Sequence, residues 1–161
     1  MAERLQRQRV LVLCTGNSCR SQMAEGWVNH LLGDRWEAHS AGTSPASAVH
    51  PLAVRVMAEV GIDIVGAVPR SVNAFLDLPW DLVVTVCDAA RQTCPLFPKP
   101  VEQLHVSFPD PALAGGTQDE RLLVFRAVRD DIRDRLVPAV AAGASHHSNG
   151  SEQWPSAAPG G

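Results

Sequence analysis

The chain has no tyrosine, a single lysine (Lys99) and only 5% aromatic residues. Arginine supplies nearly all the positive charge, and the formal net charge is −3. A nucleic-acid or anionic-membrane binder needs a basic face, and this balance excludes one as the main function. Long apolar runs are also missing: none approaches the roughly 20 residues of a membrane span. Val10 to Leu13 is too short for the core of a secretory signal. A cytoplasmic protein is therefore expected, in a compartment where thiols stay reduced. Its four cysteines are then expected to be reactive or buried rather than bridged. The remainder is ordinary: 161 residues, 45% hydrophobic and 19% charged. That is one domain, able to bury roughly 70% of its unfolded surface without help from a metal or a disulfide.

Arg9 to Leu13 is a short continuous apolar run, as in a buried parallel strand. A small-residue loop follows, and from Arg20 a helical period sets in, with Met23, Ala24, Trp27, Val28, Leu31 and Leu32 on one face and Gly33 as a C-cap glycine. Glu37 to Ala41 predicts a second strand. Pro51 to Val60 predicts a second helix, stopped by Gly61. Asp81 to Val86 predicts a third strand and His105 to Phe108 a fourth. Asp119 to Val137 predicts the longest helix, ended by Pro138. The pattern is α/β: an open four-stranded parallel sheet flanked by helices. Ligands bind such sheets at the carboxyl ends of the strands, and that edge gathers Cys14, Cys87 and Asp110. The folded domain is expected over 1–138. The stretch 139–161 is small, polar and rich in Gly and Pro, and reads as a disordered tail. Its His146-His147 pair reads as solvated, with no carboxylate or thiol nearby to complete a metal site.

Cys14-Thr15-Gly16-Asn17-Ser18-Cys19-Arg20-Ser21 lies between the first strand and the first helix. A curled loop of that kind turns successive N–H groups inward as a nest. The helix N-terminus adds its positive dipole end. Arg20 can fork onto two oxygens of a tetrahedral anion. Gly16 and Asn17 are the residues that tolerate close approach or left-handed geometry. The field that holds an anion also favours a thiolate, and Ser21 can donate a hydrogen bond to it. Cys14 is therefore the candidate nucleophile. Cys87 and Cys94 are separated by six residues, a wider spacing than the pairs in zinc ribbons. No metal is expected there. Pro95, Pro98 and Pro100 mark the segment after them as irregular.

The run Val12 to Gly26 resembles the opening of the thioredoxin-coupled arsenate reductases, which share the fold of the low-molecular-weight protein tyrosine phosphatases. The resemblance continues through Ser40-Ala41-Gly42, Ile62-Asp63-Ile64, Asp81 to Cys87, Cys94-Pro95, Phe108-Pro109-Asp110-Pro111 and Phe125 to Asp130. The opening motif is specific for the superfamily, and the later cysteine pair selects the reductase branch. The resemblance implies a relay. Cys14 attacks arsenate, held by Thr15, Gly16, Asn17, Ser18, Cys19, Arg20 and Ser21. Cys87 then attacks Cys14, arsenite leaves, and a Cys14–Cys87 disulfide remains. Cys94 attacks Cys87, and thioredoxin reduces the resulting Cys87–Cys94 disulfide. Asp110 falls on the general acid of the superfamily, with Pro109 stiffening the approach to it.

For Cys19 the expected role is loop packing. Phosphate and sulfate are expected to mimic the substrate, and the expected form is a monomer without a bound cofactor. In some such reductases a monovalent cation binds near positions matching Asn17, Glu25 and Ser40. Val65 to Ser71 departs from the hydroxyl-bearing pattern that would complete that site. Two disulfide partners cannot be served in turn by a rigid Cys87, since bonded cysteines need Cα atoms within about 7 Å. A redox-switched helix or loop from Cys87 to about Pro100 is therefore expected. The alternatives are a tyrosine phosphatase, which would need only Cys14, Arg20 and Asp110, and a non-enzymatic redox sensor. A phosphatase of this type places tyrosines after the Asp-Pro to stack on its substrate. Here Pro111-Ala112-Leu113-Ala114 follows.

Overall fold

The computed structural model describes residues 7–95 and 97–143. Four parallel strands form one sheet in the order β2-β1-β3-β4: β1 (Gln8–Cys14), β2 (Trp36–Gly42), β3 (Leu82–Thr85) and β4 (Glu102–His105). Side chains alternate across a strand, and this splits the core in two. Val10, Val12, Cys14, Leu82 and Val84 enter the larger core with α1 (Arg20–Leu31), α2 (Pro51–Glu59) and α4 (Gln118–Asp131). Leu11, Leu13 and Val83 face the other way, onto Val72 and Phe75 of a 3-10 turn and onto Trp80. Burying a side chain such as Phe125 or Leu13 completely stabilises the fold by about 1.5–3 kcal/mol. The β1/β2 and β3/β4 registers set Cys14 beside Gly42 and Thr85 beside His105. The carboxyl ends of the strands are thereby aligned on one edge.

The strand β4 begins at Glu102, not at His105 as expected. It is an edge strand, only half-buried, so it lacks the apolar run that marked β1 and β3. The expected stretch after it still follows β3: Val106 and Phe108 donate N–H bonds to the Thr85 and Val86 carbonyls at 3.0 Å. Edge strand β2 is finished by a side chain, since Asn29 donates to the Ala38 carbonyl (3.1 Å) and accepts from the Ala38 N–H (2.9 Å). Leu32 is the C-cap of α1, and Gly33 follows it without a positive φ. Glycine is needed there because a Cβ would stand 2.3 Å from the Asn29 carbonyl oxygen.

Pro138 does not end the last helix. Helix α4 widens into a π turn (Ile132–Leu136) and continues as α5 (Val137–Ala142), with Pro138 in its first turn. Two causes meet here. The Trp27 indole N–H takes the Arg129 carbonyl at 3.0 Å, a side chain entering the helical ladder. Proline also suits the first turn of a new segment, where its missing N–H costs nothing. Val140 is fully buried, so the folded unit runs past the expected boundary at 138. The tail expected over 139–161, with His146 and His147, lies outside the described residues from 144 onward.

Candidate active site

The anion loop leaves β1 at Cys14 and enters α1 at Arg20. Four of its carbonyls are drawn outward. Those of Cys14, Thr15, Gly16 and Ser18 accept from the N–H groups of Thr43, Ser44, Ala46 and His50 at 2.9–3.1 Å. In a trans peptide the N–H points opposite to the C=O. Tying the carbonyls outward therefore aims the following N–H groups into the curl. The Gly16–Asn17 peptide shows the result, with the Asn17 N–H 3.1 Å from Cys14 Sγ. The first turn of α1 has no side-chain cap, so its N–H groups remain available to an anion.

Asn17 is the strut. It is fully buried and left-handed at φ 51°. Its Oδ1 accepts from the Arg70 N–H (2.9 Å) and from Gln22 Nε2 (3.1 Å). Its Nδ2 donates to Ser21 Oγ at 2.7 Å. That leaves the Ser21 hydroxyl proton for Cys14 Sγ, 2.8 Å away. The sulfur, in a residue only 2% exposed, thus takes two donors. Gly16 needs neither a positive φ nor extra room, because a Cβ there would meet only side-chain carbons at 3.8 Å. The indispensable glycine is Gly42: a Cβ on it would stand 2.5 Å from the Thr15 carbonyl oxygen. Gln22, Gly42 and Arg70 were not singled out as loop residues from sequence, since two of them act from more than 20 positions away.

Arg20 turns over the loop. Its Nη1 donates to the Phe108 carbonyl at 3.1 Å, and its Nη2 lies 3.6 Å from Asp110 Oδ2. Its Nε is buried without a partner, a donor free to meet an oxyanion. Asp110 Oδ1 caps the following turn through the Ala112 N–H at 3.0 Å, which fixes the carboxylate beside Arg20. A cleft of about 470 Å³ opens here, lined by Thr15, Arg20, Cys87, Phe108, Pro109 and Asp110.

Three of the cysteines share this side of the sheet and one does not. Cys87 is 5% exposed, and Thr15 Oγ1 lies 3.4 Å from its sulfur. It is the N-cap of α3 (Asp88–Thr93), with the Ala90 N–H 3.4 Å from its Sγ. Cys19 is also buried, and burial, with Asp110 nearby, pushes its thiol up to about 12. That keeps it a neutral packing group. Cys94 sits at the far end of α3 against the second core, beyond the sheet from Cys14. Burial pushes its thiol up as well.

The cation positions do not fit a cation. Asn17 Oδ1 has both lone pairs occupied by N–H donors. Glu25 accepts the Ser40 hydroxyl at 2.6 Å. Burial pushes the Glu25 carboxyl up, and Ser40, His39 and Arg70 draw it back. Positive charge thus already reaches it from the chain itself. Among the described residues, no group of three or more His, Cys, Asp or Glu could hold a metal ion. None of the described helices is long and apolar enough to cross a membrane.

Comparison with known proteins agrees with this geometry. The family model described as low molecular weight phosphotyrosine protein phosphatase matches residues 9–144. An arsenate reductase of Halalkalibacterium halodurans is 49% identical over 127 residues, which are 79% of this chain and 91% of the relative. A solved arsenate reductase in its reduced state superposes with a TM-score of 0.64 at 33% identity, covering 83% of this chain and 97% of the other. A thioredoxin-dependent arsenate reductase of Corynebacterium glutamicum superposes with a TM-score of 0.57 at 26% identity, covering 84% of this chain and 62% of the other.

Proposed function

The chain belongs to the low molecular weight phosphotyrosine protein phosphatase family, and from that premise we propose that it is an arsenate reductase working by a three-cysteine relay with thioredoxin as reductant. The observation that carries this reading is the position of Cys87. A phosphatase has no use for a second thiol at the anion loop, yet Thr15 Oγ1 ties the Cys87 sulfur to the residue next to Cys14.

Arsenate enters the curl of N–H groups, and the free Arg20 Nε and its neighbour Nη2 fork onto two of its oxygens. The Cys14 thiolate, held by Asn17 N–H and Ser21 Oγ, attacks arsenic. One oxygen leaves as water, and Asp110, fixed beside Arg20, supplies its proton. Cys87 next attacks the Cys14 sulfur. The sulfur–arsenic bond breaks, its electron pair goes to arsenic, and arsenite departs. Two thiols have become the Cys14–Cys87 disulfide, which matches the two electrons gained by arsenic. Cys94 then displaces Cys14 from Cys87 by thiol–disulfide exchange. Thioredoxin takes the Cys87–Cys94 bond in the same way. Such a cycle belongs in a reducing, cytoplasmic compartment.

Residual phosphatase turnover accompanies this activity, because the cradle recognises a tetrahedral oxyanion by shape and charge. It stays slow on aryl phosphates. The lip beyond Asp110 is Leu113, 82% exposed, an aliphatic side chain rather than a ring that could stack on an aryl group. The test is a coupled assay with thioredoxin, thioredoxin reductase and NADPH. Steady NADPH consumption that depends on arsenate is the expected result. Its absence, with phosphatase activity retained, rejects the reductase in favour of the phosphatase.

A further inference from the structure

Helix α3 stands where the relay needs movement, and its anchoring is unusual. Cys87 and Cys94 bracket it at its two ends. A seven-residue separation along a helix is about 10 Å of rise, while a disulfide needs Cα atoms within about 7 Å. The helix must open before the two sulfurs can join. Little resists that opening: the helix has six residues, and Ala90 is its one buried side chain. Helices this short do not hold by themselves.

Its N-terminus carries two anchors. One is Cys87 Sγ, accepting the Ala90 N–H at 3.4 Å. The other comes from the edge strand. His105 Nε2 lies 2.9 Å from Asp88 Oδ1, and His105 Nδ1 lies 2.7 Å from Thr85 Oγ1. The carboxylate can only accept, so Nε2 bears the proton that reaches Asp88. Thr85 and His105 are register partners on neighbouring strands, which places the ring rigidly at the sheet edge. Asp88 therefore ties the first turn of α3 to β3 and β4 together.

The first anchor fails during the reaction itself, because a sulfur engaged in a disulfide is a poor acceptor for the Ala90 N–H. We propose that the Thr85–His105–Asp88 chain is a latch that holds α3 after Cys87 has bonded to Cys14, so that His105 and Asp88 are positioning residues setting the rate of the Cys94 exchange. This rests on the relay reading. The exchange breaks the Cys14–Cys87 bond and forms Cys87–Cys94. Cys94 gives its proton to water and Cys14 returns as a thiolate, with no net change in oxidation. The latch limits how often Cys94 can come within reach, and it leaves the earlier arsenic chemistry untouched.

The test is a single-turnover experiment on the full chain. Reduced protein is mixed with one equivalent of arsenate, quenched by alkylation at intervals, and mapped by mass for each disulfide, while arsenite release is followed in parallel. In His105→Ala and Asp88→Ala the Cys87–Cys94 bond should form about three- to fivefold faster than in the parent, the span expected for one exposed hydrogen-bonded pair. Arsenite release should stay within about twofold. His105→Gln, which keeps a donor for Asp88, should restore most of the parent rate. Should His105→Ala fold poorly, Asp88→Ala alone decides, since Asp88 is exposed. Equal exchange rates in parent and Asp88→Ala overturn the latch and leave the relay standing. A parent that never forms Cys87–Cys94 overturns the relay instead.

Discussion

Residues 14–21 and residues 87–94 are two segments of equal length. The first begins with a cysteine at the end of β1, the second with one two residues past the end of β3, and each runs into a helix, yet they are held in opposite ways. In the first, carbonyl after carbonyl is bound by the 43–50 segment, and buried Asn17 is gripped from three sides. In the second, the helix has one buried alanine, and its start is held by one long sulfur contact and one histidine. The stiff segment can orient a guest and keep a sulfur solvated by fixed donors. The loose one can carry a bond from one partner to another. A relay needs both, and a phosphatase would need only the first.

The comparison breaks most severely at its rigid side. Cys14→Ser should lower arsenate turnover by about four orders of magnitude or more, as loss of a nucleophile does, while the melting temperature barely moves. Gly42→Ala pushes a Cβ against the Thr15 carbonyl and should displace the loop. A shift of that kind costs about a hundredfold in kcat/KM, and circular dichroism should show the fold retained. Arg20→Lys keeps the charge and loses the fork, so arsenate and phosphate affinity should each fall about tenfold or more by calorimetry; equal affinity would mean that Arg20 does not face the anion.

On the loose side the effects are smaller. Ala89→Gly, on the exposed face of α3, weakens helix formation by about 1 kcal/mol. Amide exchange over 88–93 should speed up roughly fivefold, while exchange in the anion loop stays as it was. The smallest change is a control away from both segments. Glu59 accepts from Arg126 at 2.7 Å and from Arg129 at 2.9 Å, joining α2 to α4. The Arg126 hydrogen bond leads in holding its carboxyl down to about 2. A depressed carboxylate stabilises the fold above its unfolded value, near 4.5, and that benefit is lost as pH falls toward about 2. Glu59→Gln should therefore melt about 2 °C lower at pH 7 and converge with the parent near pH 2. A gap that persisted in acid would assign the loss to packing.

The rigid segment was legible in the sequence because its logic is local. Strand, small residues, Arg20 and Ser21 follow one another, and even the left-handed Asn17 is visible as a residue type that tolerates that geometry. Its supports were not legible. Gly42 and Arg70 reach the loop only through the fold. For the loose segment the sequence leaves helix or loop open. Asp88 to Thr93 has too little helical drive to announce a helix, which forms because Cys87 and His105 hold its start. Strand β4 was placed too late because apolar density misleads at a half-buried edge. Pro138 was read by its usual consequence, which the π turn before it cancels.

The division of sulfurs across the sheet has a bearing on which reagents can reach them. Cys14 and Cys87 are shielded at 2% and 5% exposure, and Cys19 holds its proton to about 12. Cys94 is the most open of the four, and burial still makes it reluctant to ionise. At rest, then, no sulfur is both open to bulk solvent and easily ionised. A small tetrahedral oxyanion with the right charge passes this screen, whereas a bulky electrophile meets only a sluggish thiol on the far side. On the relay reading, the nucleophile is thereby screened from bulky reagents while the anion loop stays open to a small guest.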